Sequence, residues 1–178
     1  MDTMKSIMTF KDNKNGISVS IPVTEVQKMF SICENSYPKE TGGILIGRYS
    51  QNLENALVSE ATPSPKDSKR GHTWFKRGIK GLSELIISKW KEKLYYLGEW
   101  HYHPAIVPNA SYVDIRQMKN ISKNPNFNCP EPILVIVSLS SVGLQLSVWV
   151  FMENRLNQLK LTENAMPTFN NSIFNKLY

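Results

Sequence analysis

The sequence predicts an α+β fold, in which a mixed β-sheet is flanked by helices. Short segments with alternating or continuous apolar residues are typical of strands, and longer segments with apolar residues every three or four positions are typical of helices. Several predicted strands follow one another directly along the chain. Such neighbours form hairpins, so the sheet is expected to contain antiparallel as well as parallel pairs.

The first half of the chain contains three predicted strands and one helix. Residues 16–22 alternate with period two and end at a proline, which predicts a strand, and residues 23–35 have the apolar spacing of an amphipathic helix. The apolar run within residues 43–49 predicts a buried strand that forms a hairpin with residues 55–62. Residues 62–71 contain two prolines, a glycine and four charged residues, which predicts a loop.

The middle of the chain contains a brief strand at residues 73–75 and a second amphipathic helix at residues 79–93. An aromatic-rich strand follows at residues 94–101. The apolar face of the predicted helix consists of Leu82, Leu85, Ile86 and Trp90.

The last predicted elements are a helix at residues 111–122 and a hairpin of two strands at residues 132–139 and 144–152. The helix is expected to pack through Val113, Met118 and Ile121. The sequence beyond this hairpin becomes polar and weakly patterned. We therefore predict a single domain over residues 1–162 and a C-terminal tail over residues 163–178.

The net charge of +6 is concentrated in residues 66–93, where nine lysine and arginine residues stand against three acidic ones. The segment has neither a series of aromatic residues nor a recognised nucleic-acid motif, so nucleic-acid binding is not predicted. An acidic protein partner is compatible with the same charge.

The cysteine content and hydropathy restrict the protein class. Cys33 and Cys129 belong to no C-x-x-C pair, which excludes a disulfide framework and an all-cysteine zinc site. No apolar run approaches the roughly 18 residues that span a bilayer, and the N-terminal residues lack the apolar stretch of a secretory signal. The expected location is therefore the cytoplasm, without membrane binding, and the oligomeric state is left open.

Three residues close in the sequence have the chemistry of metal ligands. His101 and His103 lie at the end of a predicted strand, where the period of two places both side chains on one face. Asp114 lies in the first turn of the next helix and projects back toward the strand end. Two imidazoles and one carboxylate suit a catalytic zinc ion with a position open for water. The sequence therefore predicts a hydrolytic zinc site.

Such a site needs a carboxylate that takes a proton from water and passes it to the leaving amine. Glu99 shares the strand face of His101, and Glu40 immediately precedes a glycine-rich predicted strand. The sequence spacing alone does not choose between the two glutamates. Ser111 and Asp114 also form a variant of the capping box, so helix capping is an alternative role for this pair.

Two separated motifs resemble those of the JAMM metalloproteases, also called JAB or MPN-plus proteins. That family has a glutamate before a glycine-rich strand, then H-x-H-P and, after seven intervening residues, S-x-x-D. Here Glu40 precedes T-G-G-I-L-I-G, and His101-Tyr102-His103-Pro104 is followed at the family's distance by Ser111 and Asp114. The resemblance covers residues 15–155 and implies a JAB/MPN-like mixed sheet with cytidine-deaminase-like layering.

The resemblance also implies a role for each motif residue. His101, His103 and Asp114 are expected to bind one Zn2+, and Glu40, rather than Glu99, is expected to act as the general base and acid. Ser111 is expected to help hold the tetrahedral oxyanion in addition to capping. Because histidines that bind zinc must be neutral, activity is expected to fall below about pH 6.

Members of the family cleave the bond after the Gly-Gly tail of ubiquitin or a ubiquitin-like protein. The small size and the E-T-G-G form resemble stand-alone bacterial members, some of which reverse conjugation in anti-phage, CBASS-type operons. We therefore expect a zinc isopeptidase that acts on a ubiquitin-like or E2-conjugated protein. The alternatives are a peptidase that processes sulfur-carrier proteins and a non-catalytic MPN-like interaction module.

Lys69 and Arg70 are the candidate substrate-binding residues, from their position in the basic loop and their charge. Some eukaryotic members carry a second, structural zinc ion. Outside the motif this chain offers only Cys33, His72 and Cys129 as cysteine or histidine ligands, so a second site is not expected.

Overall fold

A computed structural model describes residues 6–105, 107–140 and 143–162. The elements in chain order are β1 (Ile7–Asp12), β2 (Ile17–Pro22), α1 (Val23–Ser36), β3 (Thr41–Tyr49), β4 (Asn55–Ala61), β5 (Lys69–Arg70), β6 (Phe75–Lys76), α2 (Leu82–Lys91), β7 (Tyr95–His103), α3 (Tyr112–Lys123), β8 (Ile133–Ser140), β9 (Gly143–Met152) and β10 (Arg155–Leu161). All three predicted helices are present, and the α+β class is confirmed. The predicted tail at 163–178 lies outside the described residues, and the single-domain boundary stays a prediction.

Eight strands form one mixed sheet that closes into a barrel, in the order β1-β10-β9-β8-β7-β3-β4-β2. The β2–β4 and β7–β8 pairs are parallel, and the other pairs are antiparallel. The cytidine-deaminase-like layering expected from the sequence did not include closure of the sheet into a barrel. The barrel closes because β1 pairs with β10, with Phe10 opposite Leu161, and neither strand was predicted.

The two faces of the sheet bury separate hydrophobic clusters. The inner face packs on α1 and includes Leu45, Leu97 and Val135. The outer face, which includes Ile44 and Leu134, packs with residues of α2 and α3. This alternation of side chains is what a sheet covered on both faces requires. It places α3 on the outer face of β7, where the candidate metal ligands lie.

Two predicted core positions on the helices are wrong. Trp90 of α2 is 55% exposed and Val113 of α3 is 57% exposed, whereas Met118 and Ile121 are buried as predicted. Trp90 instead makes an edge contact with Tyr95. Both helices lie along the surface of the barrel. The apolar stripe that each helix buries is therefore narrower than the sequence pattern indicated.

The predicted loop at 62–71 contains one strand of a small hairpin, formed by β5 and β6. Asp67 fixes the chain after this hairpin, because its carboxylate accepts hydrogen bonds from the backbone N–H groups of Ile79 and Lys80. Cys33 and Cys129 are buried free thiols. Across the described ranges, every helix is too short or too polar to cross a lipid bilayer.

Candidate active site

A β-bulge in β7 sets the face on which the site is built. The register between β3 and β7 shifts after Leu45, which pairs with Gly98, and Gly98 has a φ of 148°. A side chain there would meet the carbonyl oxygen of Ile133 at 1.9 Å, so glycine is required. One extra residue in a strand reverses which side chains face outward. Consequently His101 and His103 face α3, while Trp100 enters the inner core.

Asp114 reaches the histidines from the first turn of α3. Ser111 is the N-cap of this helix and accepts a hydrogen bond from the backbone N–H of Asp114. The Asp114 carboxylate accepts hydrogen bonds from the N–H and the hydroxyl of Ser111, at 2.7 and 2.6 Å. The capping alternative is therefore confirmed, and the cap also orients Asp114 toward β7.

His101, His103 and Asp114 form a group whose ligand atoms all lie within 4.8 Å of one another. His101 Nδ1 lies 2.6 Å from Asp114 Oδ1, and His103 Nε2 lies 3.5 Å from Asp114 Oδ2. The second nitrogen of His103 faces the carbonyl oxygen of Asn109, at 3.3 Å. A carbonyl oxygen only accepts, so Nδ1 carries the proton and Nε2 is free for a metal. The donor set fits zinc.

The same contacts shift the pKa values of the three candidate ligands. Burial alone would lower the pKa of His101, but hydrogen bonds to Asp114 and Glu99 raise it to about 9. Burial opposes ionisation of Asp114, yet the His101 hydrogen bond lowers its pKa to about 2. Burial lowers the pKa of His103. At neutral pH the proton on His101 is thus the one that a metal must displace.

We expect zinc affinity to increase with pH between about 6.5 and 8.5. Because the pKa of His101 is raised to about 9, its protonated form predominates across this range and competes with the metal. The apparent dissociation constant should therefore fall about tenfold per pH unit, with about one proton released per ion. Chelator competition and calorimetry in buffers of different ionisation enthalpy measure both quantities. Affinity that does not change over this range would contradict the assignment of His101.

Glu40 immediately precedes β3, beside the metal-ligand group. Burial and the nearby charge of Asp114 raise the pKa of Glu40 to about 7, and His101 opposes this shift. The side chain is half-buried and therefore open to water. Its backbone N–H donates to the carbonyl oxygen of Gly71 in the hairpin, at 2.8 Å. A carboxyl group with this pKa can exchange protons near neutrality.

Glu99 is fully buried, in contrast to Glu40, and its carboxylate is already surrounded by donors. Arg77 donates from Nε and Nη2 to Oε1, at 3.0 and 2.7 Å, and Tyr96 donates to the same oxygen at 3.2 Å. Gln117 and His101 contact Oε2. Arg77 and Gln117 were not predicted from the sequence, because no local pattern links them to Glu99.

The β5–β6 hairpin lies against the site. Phe75 makes an edge contact with the ring of His101, with 6.0 Å between the ring centroids. Gly42 allows this approach, since a side chain there would meet the Trp100 carbonyl oxygen at 2.3 Å and Phe75 at 3.0 Å. The hairpin is thus positioned to contact a ligand that occupies the site.

The two candidate substrate-binding residues differ in their surroundings. Arg70 donates to the hydroxyls of Ser36, Thr41 and Ser64, at 3.1–3.4 Å, and so ties β5 to the start of β3. Lys69 is exposed. Arg70 therefore has a structural role in holding the hairpin in place. Lys69 is the better candidate for contact with a partner.

Two named proteins are similar in sequence to this chain. A protein from Enterobacter hormaechei subsp. hoffmannii named "CD-NTase/cGAS isopeptidase" is 40% identical over 144 residues, which cover 78% of this chain and 80% of the relative. A Pseudomonas aeruginosa protein with the same name is 29% identical over 110 residues, which cover 60% of this chain and 68% of the relative.

The fold also resembles a solved structure, that of protein DSY2949 from Desulfitobacterium hafniense. The TM-score is 0.60, the sequence identity is 17%, and the match covers 79% of this chain and 88% of the other. Residues 22–151 match the family model described as prokaryotic homologs of the JAB domain. From this match and the 40% identical relative, we conclude that the chain belongs to the Prok-JAB family.

Proposed function

We propose that the protein is a zinc-dependent isopeptidase that releases a protein from a conjugate. The observation that carries the proposal is the convergence of His101 Nδ1, His103 Nε2 and the Asp114 carboxylate at one point, beside the half-buried Glu40. Two imidazoles and one carboxylate leave a coordination position for water or substrate, which is typical of catalytic rather than structural zinc.

When bound, zinc supplies a Lewis acid and lowers the pKa of water. The chain supplies the proton transfer: Glu40 accepts a proton from the attacking water and donates it to the departing amine. Ser111 is proposed to donate to the oxyanion. In the structure its hydroxyl donates to Asp114, so this role requires its release when Asp114 binds the metal.

The β5–β6 hairpin is proposed to hold the extended C-terminal tail of the conjugated protein. A two-stranded sheet offers backbone groups at its edges, to which an extended peptide can add as a strand. The hairpin is linked to the backbone of Glu40 through Gly71, and Phe75 contacts His101. A tail on the hairpin would therefore lead its scissile bond toward the metal. Small residues such as a Gly-Gly pair suit this confined approach.

The identity of the conjugated protein is proposed from the relatives. Both proteins described above are named CD-NTase/cGAS isopeptidases. We therefore propose that the substrate is a conjugate containing a CD-NTase, and that the enzyme reverses this conjugation in bacterial antiviral defence. A ubiquitin-like modifier or an E2-conjugated protein remains the wider substrate class, and a cytoplasmic location fits these partners.

The decisive experiment offers the zinc-loaded protein two substrates with the same C-terminal tail. One is a CD-NTase joined through its C-terminal tail to a target lysine by an isopeptide bond, and the other is a short peptide of the tail sequence joined to a lysine by the same bond. Cleavage of the conjugate that is lost with a chelator and restored by zinc supports the proposal. Equal cleavage of the short peptide would indicate a peptidase without protein specificity. Zinc binding without cleavage of either would favour an interaction module.

We expect Lys69→Glu to raise KM by about tenfold and to change kcat by less than about twofold, because a mutation that removes uniform binding acts on KM. The exposed Lys69 belongs to β5 and has no part in the metal group. Steady-state kinetics on the conjugate measure both constants. Lys91→Glu is the matched control, as another exposed lysine at the end of α2. An unchanged KM would remove Lys69 from the substrate-binding surface.

A further inference from the structure

The buried carboxylate of Glu99 has no role in the chemistry proposed above, although it contacts a metal ligand. Its Oε2 atom lies 3.1 Å from His101 Nε2, on the side of the ring opposite Asp114. The residue is 0% exposed. A buried carboxylate is costly unless its oxygens are compensated, so a side chain in this position requires an explanation.

The two oxygens of Glu99 are divided between two sets of donors. Oε1 receives the guanidinium of Arg77 through Nε and Nη2 and also the hydroxyl of Tyr96. Oε2 receives the amide of Gln117 and faces the ring of His101. Arg77 compensates the charge, and the remaining donors fix the plane of the carboxylate. The group therefore presents one oriented acceptor to His101 Nε2.

We propose that Glu99, held by Arg77, is a positioning residue that determines which nitrogen of His101 binds the metal. Carboxylates accept but do not donate, and both nitrogens of His101 face one. Because Asp114 would itself bind the metal, Glu99 is the acceptor that keeps the proton of a neutral His101 on Nε2. Nδ1 then carries the free lone pair and faces Asp114 and His103. The inference rests on the metal site of the proposed function, but it does not depend on the substrate or on the reaction.

Arg77 ties this orientation to the hairpin. It directly follows β6, its side chain is 11% exposed, and its Nη1 atom also donates to the carbonyl oxygen of Gly78, at 3.1 Å. The same short segment carries Phe75, which contacts the His101 ring from another side. Contacts from one hairpin thus support both the carboxylate and the imidazole.

Glu99→Gln is the most direct variant, because the amide has the same shape but cannot satisfy both sides. If the amide NH2 group faces His101, it donates to Nε2 and moves the histidine proton to Nδ1, where the metal should bind. If the NH2 group faces Arg77, two donors oppose each other. Either orientation should weaken zinc binding by roughly tenfold to a hundredfold, the usual effect of changing a residue that supports a metal ligand.

The experiment measures the zinc dissociation constant of wild type, Glu99→Gln and Arg77→Lys by chelator competition at one pH, with the melting temperature recorded alongside. Arg77→Lys keeps the charge but not the two-pronged contact, and roughly a threefold or larger loss of affinity is expected. Glu60→Gln is the matched control, since it removes the carboxylate that pairs with Lys89 at 3.0 Å, and it should leave the zinc affinity unchanged. Long-range 1H–15N spectra of the zinc-loaded wild type should show the His101 proton on Nε2.

Two results would overturn the inference. One is a folded Glu99→Gln variant with unchanged zinc affinity, and the other is a zinc-loaded wild type in which Nδ1 carries the proton. If Glu99→Gln does not fold, the inference is tested by the other two measurements. It is overturned if Arg77→Lys has unchanged zinc affinity and the zinc-loaded wild type carries the His101 proton on Nδ1. A wild type that binds no zinc would instead refute the proposed function, so the two failures are distinguishable.

Discussion

Glu40→Gln is expected to lower kcat by about a hundredfold to ten-thousandfold while zinc content stays unchanged, because the substitution removes a proton-transferring group. The Glu40 carboxylate is not a member of the metal-ligand group. Burial and Asp114 raise its pKa to about 7, which suits proton exchange at neutral pH. The glutamine side chain keeps the size of the native one, so the fold around β3 should be unaffected. Elemental analysis and single-turnover cleavage of the conjugate measure the two quantities.

The matched control is Glu54→Gln, which changes an exposed glutamate in the turn before β4 whose carboxylate contacts only Asn52 among the described hydrogen bonds. Its activity should equal that of the wild type. A Glu40→Gln variant that keeps more than about a tenth of the wild-type kcat would show that the proton follows another route, because general acid-base catalysis contributes far more than this.

His103→Ala is expected to abolish activity and to weaken zinc binding by more than about a hundredfold, because loss of a ligand should exceed the effect of changing a supporting residue. The metal-free variant should remain folded. His103 lies 3.5 Å from Asp114 and 3.3 Å from Asn109, which are long contacts. Its removal therefore does not leave a buried charge without a close partner. His101→Ala is less informative, since it would leave the buried carboxylates of Glu99 and Asp114 without their shared partner, which is strongly destabilising.

His72→Ala is the control for this experiment, because it removes the remaining histidine of the chain. His72 is exposed between β5 and β6, outside the metal-ligand group. Zinc titration and thermal unfolding of both variants, with and without metal, give the comparison. Equal zinc affinity in His103→Ala and His72→Ala would contradict the assignment of His103 as a ligand.

The grouping of the three candidate metal ligands was predictable because its geometry is local in sequence. His101, His103 and Asp114 lie within fourteen residues, and the strand period and the first helical turn suffice to bring them together. The strand period of two correctly placed both histidines on one face, although the bulge at Gly98 was not predicted. The bulge lies before His101 and so does not change the alternation between the two histidines. Glu40 and Glu99 were both candidates from the sequence, and only the family resemblance favoured Glu40, because the β3–β7 pairing that brings Glu40 near the histidines is not visible from the spacing.

The features that were missed depend on distant pairing. β1 has only Met8 and Phe10 buried, and β10 has only Leu159 buried, so neither has a strong apolar pattern of its own. The contact between Arg77 and Glu99 joins residues 22 positions apart through a hairpin that was expected to be mostly loop. Tertiary context, rather than local propensity, determines these elements.

The pairing of Phe10 with Leu161 has a consequence for the order in which the molecule assembles. Contacts between residues so far apart in sequence carry a large loop-closure entropy and form slowly. During synthesis β1 is completed long before β10, and until then its outer hydrogen-bonding edge is free. A free strand edge can pair with another chain. Nascent and incompletely folded molecules therefore have an open sheet that the native barrel conceals, and their tendency to associate should decrease once β10 has been added.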